Sequence, residues 1–103
     1  MPALPRRFRR LDRTELFGYE VPVASTFRSR LLGLALLPSD RAGRGLLIPA
    51  CRSVHTFGMR FPLDLLFLDS DHRVIEIRRD IPPCEICRCA AAAAVLEIPA
   101  PEP

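Results

Sequence analysis

The stretch LDLLFLDSDHRVIEIRR, residues 63–79, decides the fold. Its first seven residues are almost continuously apolar and compatible with a strand. SDH at 70–72 carries turn chemistry, and RVIEIRR alternates with a period of two. In an extended chain Val74, Glu76 and Arg78 share one face, and Ile75, Ile77 and Arg79 share the other. Two such runs about a short polar turn predict a β-hairpin.

On the N-terminal side, SVHTF at 53–57 reads as a strand followed by a turn or bulge at Gly58. GLLIPA at 45–50 reads as a short buried strand stopped by Pro49, and SDRAGRG at 39–45 as a loop. TFRSRLLGLALL, residues 26–37, fits a short helix. Ser25 or Thr26 can cap it, Phe27, Leu31, Leu34 and Leu37 recur at helical spacing, and Pro38 follows. Gly33 inside it costs about 1 kcal/mol against Ala, so a close helix–sheet contact is expected there. LFGYEVPVA at 16–24 reads as one strand, with Pro22 marking an edge or an end, and an earlier strand is expected around Phe8 and Leu11. Beyond the hairpin, IPPCEICRC is a loop or irregular strand, and AVLEI at 94–98 a last strand. Six or seven short strands, one helix and no βαβ rhythm predict a mainly β, sandwich or barrel-like domain.

The chain has 103 residues, 49% of them hydrophobic and 26% charged, as expected for one globular domain over 1–103. Residues 1–6 and 99–103 are expected to be flexible ends. All 15 basic residues are Arg, which with the many Ala and 11 Pro reflects codon usage more than chemistry. The net charge of +3 is small for a nucleic-acid binder and concentrates in RRFRRLDR at 6–13, which Asp12 interrupts. That arm reads as a solvated basic segment, and nucleic acid is not the expected partner. No run of 18 apolar residues exists to span a membrane, and MPALPRRFRR lacks the apolar stretch of a secretory signal, so a cytoplasmic location is expected. In that compartment the four cysteines read as thiols or metal ligands before disulfides.

RLLGL at 30–34, GLLIPACRSVHTFGMRFPLDLLFLD at 45–69, RVIEI at 73–77 and AVLEIPA at 94–100 together resemble one family. It is the bacterial and archaeal domain-of-unknown-function family number 192, and the likeness covers roughly residues 15–100. The resemblance implies a compact, mainly β fold and no established reaction, cofactor or substrate. Arg30 and Gly33 match its helix motif. His55, Thr56, Met59, Arg60, Pro62, Asp64 and Asp69 match its central motif, and Cys51 follows its GLLI-type strand. Members usually continue past this point with a glycine-rich turn, a Gly-Asp pair and a final strand. Here IPAPEP stands instead, implying a missing strand or a differently closed sheet. The cluster CEICRC lies outside the family pattern.

Taken as chemistry, an extended 51–57 turns Cys51, Ser53, His55 and Phe57 to one side and Val54 and Thr56 to the other. Asp64, among leucines, is expected to be at least partly buried and to need partners, with His55, Arg60, Thr56 or backbone N–H groups the candidates. A buried His55–Asp64 pair fixing strand register is one reading. A small polar pocket lined by His55, Asp64 and Arg60, with Thr56, Met59, Cys51 and Arg30 as further candidates, is another, taking an anionic or sugar-like ligand. A Cys51–His55 catalytic dyad is opposed by the about 13 Å that separates residues four apart on a strand. The same spacing opposes a Cu(I) site of Cys51, His55 and Met59, with His72 as a further imidazole. Cys84, Cys87 and Cys89 could hold zinc with a fourth ligand from Cys51, His55 or His72, or be partly buried free thiols. The expected function is a non-catalytic binding or accessory module for a small polar ligand or a partner protein. The alternatives are an enzyme using Cys51, His55 and Asp64, or a zinc-stabilised domain.

Overall fold

The computed structural model describes residues 11–24, 33–34 and 45–101. They form eight strands: β1 (Arg13–Leu16), β2 (Tyr19–Pro22), β3 (Leu46–Pro49), β4 (Ser53–His55), β5 (Leu63–Leu68), β6 (Val74–Ile81), β7 (Ile86–Arg88) and β8 (Ala94–Pro99). The predicted hairpin is β5–β6, antiparallel with Leu66 opposite Ile77. It belongs to a four-stranded antiparallel sheet of order β3–β8–β5–β6, in which the last strand in sequence is inserted between β3 and β5. Two smaller antiparallel ribbons, β1–β2 and β4–β7, complete the described fold.

The central sheet is covered on both faces, which is why its strands read as apolar runs rather than as clean alternations. Leu63, Leu65 and Phe67 of β5 join Leu46, Ile48 and Val95 in one cluster, which also takes Val54 and Cys87 of the β4–β7 ribbon, Met59, Phe61 and Leu34. Leu68, Leu47, Ala94 and Leu96 face the other way and meet Leu16 and Val21 of the β1–β2 ribbon. The first ribbon is tied on by the backbone. Val23 bridges Leu47 in parallel, and the Ala24 N–H donates to the Leu47 carbonyl at 2.8 Å. The described structure is therefore a ribbon, a sheet and a second ribbon stacked around two apolar layers.

The mainly β class is as read from sequence, and three details bear on its finer expectations. First, LFGYEVPVA does not form one strand. Phe17 (φ 52°) and Gly18 (φ 88°) make a two-residue turn, so Leu16 ends β1 and Tyr19 opens β2. Positive φ at both central residues suits the twist of a two-residue hairpin, and Gly18 permits it, while Phe17 adopts it at a steric cost. Second, the expected helix over 26–37 lies outside the described residues except for Gly33 and Leu34, which form a turn with Gly33 at φ 50°. Third, at the expected C-terminal end, Pro99 pairs with Leu63, and the Ala100 N–H donates to the Pro62 carbonyl at 3.0 Å. The strand expected around Phe8 and Leu11 and the basic arm lie almost wholly outside the described residues.

Because Phe17 is 54% exposed in a left-handed conformation, Phe17→Asn should stabilise the domain by about 0.5–1 kcal/mol. An unchanged or lowered urea midpoint would show that the ring contributes more than the turn strain costs.

Candidate functional site

The central motif begins at the end of β3, runs through β4 and enters β5. Val54 and Thr56 point inward and are buried, while Ser53 and Phe57 are exposed and Cys51 and His55 half-buried, as the alternation requires. Met59 belongs to the core, and Arg60 is exposed. Arg30 lies outside the described residues.

The expected His55–Asp64 pair is not formed. Asp64 is buried on β5 opposite a bulge in β6, where three steps from Arg78 to Ile81 face two from Leu65 to Leu63. The extra residue leaves an N–H outside the ladder. Asp64 Oδ1 accepts that N–H, from Asp80, at 2.9 Å, and Oδ2 accepts from Arg79 Nη1 at 3.3 Å. Asp80 itself stands at φ 56°. The buried carboxylate is thus the pin of a bulge, and its partners come from the neighbouring strand. His55 sits on a different ribbon, with its Nδ1 accepting the Phe57 N–H at 3.2 Å and its ring stacked on Phe57.

Thr56 is the polar residue that organises the second ribbon. Its hydroxyl donates to the Pro82 carbonyl at 2.7 Å and accepts the Glu85 N–H at 2.8 Å, and its backbone N–H donates to the Glu85 carbonyl. Its own carbonyl accepts from the N–H groups of Cys84 and Met59. Fully buried, Thr56 fastens the 82–85 loop to β4.

The cysteines are dispersed by the same register. All four are free. Cys87 pairs with Val54 and points into the core, Cys84 is exposed at φ 68°, Cys89 is half-buried, and the Cys51 thiol donates to the Ser53 carbonyl at 3.1 Å. Among the described residues, no group of three or more His, Cys, Asp or Glu side chains is placed to hold a metal ion. No described helix is long and apolar enough to cross a membrane.

Two depressions open beside these residues. The smaller, about 470 Å³, is bounded by Pro62, Asp64, Arg79, Asp80, Ala100 and Pro101, and within it Arg79 is paired with Asp64. The larger, about 940 Å³ and wide open, lies where β3, β5 and β8 meet their loops. Cys51, Arg52, Ser53, Asp69 and Ser70 rim it, over Ala50 and Ala91–Ala93. Asp69 is fixed there, since its Oδ1 accepts the N–H groups of Asp71 and Arg73, both at 2.9 Å. Among the described residues Arg52 forms no ion pair.

With the signature thus placed in three dimensions, the family assignment follows from the model of the DUF192 family, described as "Uncharacterized ACR", which matches residues 10–102. The chain belongs to the DUF192 family. A comparison with curated proteins gave no match. Two solved structures are similar. A protein of unknown function from Novosphingobium aromaticivorans DSM 12444 shares 24% identity over 85% of this chain and 70% of its own, with a TM-score of 0.63, which shows the fold. A protein from Sinorhizobium meliloti 1021, provisionally described as a transcription regulator, shares 25% identity over 79% of this chain and 68% of its own, with a TM-score of 0.69.

One DUF192 position escaped the sequence reading altogether. Glu97 lies mid-strand on β8, opposite Leu46 on one side and Leu65 on the other, and is 2% exposed. Its Oε1 accepts the Leu34 N–H at 3.3 Å, and a Cβ on Gly33 would stand 2.5 Å from the same oxygen. The glycine expected at a helix–sheet contact is therefore required by a carboxylate, at a left-handed turn. The available signal was a lone acid at an inward position of AVLEI, whose alternate residues Val95 and Glu97 share a face.

Gly33→Ala should cost more than 1 kcal/mol, combining an unfavourable φ with the clash at Glu97. Thr56→Val, which strands the partly buried Glu85 N–H and Pro82 carbonyl, should cost about 1–3 kcal/mol. Arg60→Ala, on the surface, should stay within about 0.5 kcal/mol. Urea unfolding of the three variants checks this ranking, and an Arg60→Ala as damaging as Thr56→Val would contradict it.

Proposed function

We propose that this DUF192 domain is a non-catalytic binding module for a small hydroxylated carboxylate or a related anionic, sugar-like molecule. The observation that carries the reading is the larger depression. It joins a guanidinium, a fixed carboxylate and two hydroxyls over a floor of alanines, side chains too small to fill it. Arg52 offers a forked donor set suited to a carboxylate, Ser53 and Ser70 offer hydroxyls, and Asp69 can accept from a ligand hydroxyl. Ala50 in that floor stands at φ 50°, a conformation costly for a residue with a Cβ, and such strain concentrates at functional sites.

The arrangement favours binding over turnover. A nucleophile needs a base within hydrogen-bond reach. The Cys51 thiol is turned to the Ser53 carbonyl, and the His55 Nδ1 is taken by the Phe57 N–H. Asp64 is engaged in the bulge.

Gluconate carries both features the rim selects, a carboxylate and a row of hydroxyls. Titrated into ¹⁵N-labelled protein, it should shift the amides of Arg52, Ser53, Asp69, Ser70 and Ala91–Ala93 as a group. Glucose, without the anion, and inorganic phosphate, without the polyol, should do so more weakly. Arg52→Ala should abolish the shifts while leaving the thermal midpoint within a degree or two, as expected for an exposed side chain. Absence of these shifts at about 10 mM gluconate, an affinity below the millimolar range, would refute the reading.

A further inference from the structure

We infer that β6 is a self-association edge, and that the partner it fits is the β6 of a second copy of this chain. Among the described residues β6 ends the order β3–β8–β5–β6, so one of its sides bonds β5 and the other lies open. The direction of its backbone follows from the strand beside it. The Ala93 N–H donates to the Leu68 carbonyl, which turns Leu68 toward β8. Alternation then turns Leu65 and Phe67 toward β6, where they face Arg78 and Glu76. Ile77, between those two, directs its N–H and C=O to the open side. An eight-residue edge presenting backbone donors and acceptors is a template for another strand.

The side chains specify which strand. Ile75 is 42% exposed and Ile77 44% exposed, an unusual pair for an unprotected edge. Antiparallel pairing of two β6 strands about a twofold axis must place like faces opposite one another, so the axis must pass through a residue position. Centring on Glu76 sets Glu76 against its copy, and centring on Arg78 sets two arginines together. Both are unfavourable. Centring on Ile77 sets Ile77 against Ile77 and Glu76 against Arg78 of the other copy, twice. Within one chain Glu76 and Arg78 already pair, and Arg78 lies 5.3 Å above the Phe67 ring while donating to the Arg88 carbonyl at 2.6 Å. These contacts hold the guanidinium on the face where the second carboxylate would arrive. Bulges at both ends of β6, beside Leu68 and beside Asp64, confine regular pairing to the segment around Ile77 and oppose open-ended stacking.

Sedimentation equilibrium of the whole chain across about 10 μM to 1 mM, the range in which short interfaces assemble, tests this. The expected result is a concentration-dependent rise from 11.6 kDa to twice that mass. Ile77→Lys and Ile77→Glu, each placing like charges across the axis, should remain monomeric with unchanged circular dichroism. Mixed in equal amounts they should dimerise, since Lys then faces Glu. That rescue separates a lost interface from a lost fold. A wild-type chain that stays monomeric at 1 mM, a dimer that survives both substitutions, or a mass that climbs past two copies would overturn the assignment.

Discussion

Burial of β8 on both faces constrains everything around it. A strand in the middle of a sheet has its backbone satisfied by two neighbours, but when ribbons cover both faces its side chains lose water in both directions. Ala94, Val95 and Leu96 accept that cost-free, whereas Glu97 must find donors inside the protein. The Leu34 N–H is one of them, and it is brought there by a turn whose glycine leaves room for the carboxylate. A polar group at the centre of the sheet therefore dictates the conformation of a segment more than sixty residues earlier in sequence.

Asp64 and Thr56 obey the same constraint. Each is a buried polar side chain, and each takes up backbone groups that the ladders leave over: the bulge N–H at Asp80 for one, the 82–85 loop for the other. Among the described residues, the non-glycine positions with positive φ, Phe17, Ala50, His72, Asp80 and Cys84, all stand at turns, bulges or strand ends. The buried polar side chains of the described residues, Thr56, Asp64 and Glu97, each accept at least one backbone N–H.

The hairpin at 63–79, the buried strand at 45–50 and the last strand were legible in the sequence because their apolar patterns are set by burial, which depends on neighbours only in kind. What could not be read is what depends on which neighbour. Nothing in AVLEI says that it enters between β3 and β5. Without that insertion the environment of Glu97 is not deducible, and the partners of Asp64 depend on a bulge that the alternation of RVIEIRR does not announce. Proximity in sequence points to His55 as the partner of Asp64, yet a bulge in β6, set by backbone register, supplies closer groups. The strand break at Phe17–Gly18 was missed because a phenylalanine rarely adopts positive φ. Cys51, Arg52, Ser53 and Asp69 lay within the recognised signature, but their convergence with Ala91–Ala93 arises only when β8 lies beside β5.

Rim and edge are geometrically independent. The depression lies at the end of the sheet where β5 finishes and β8 begins. A twofold axis through Ile77 reverses strand direction, so the depression of one copy and that of the other fall at opposite ends of a continuous eight-stranded sheet. Neither is closed by the pairing, and neither borrows a residue from the partner. Coupling between the two would have to travel through β5, which ends at Leu68, one residue before Asp69 at the depression, and faces Ile77 at Leu66. That strand is buried, doubly paired and pinned at Asp64, so it has no alternative register to offer. A rigid strand with one packing carries no two-state signal, and ligand affinity at the rim should therefore not depend on association at the edge.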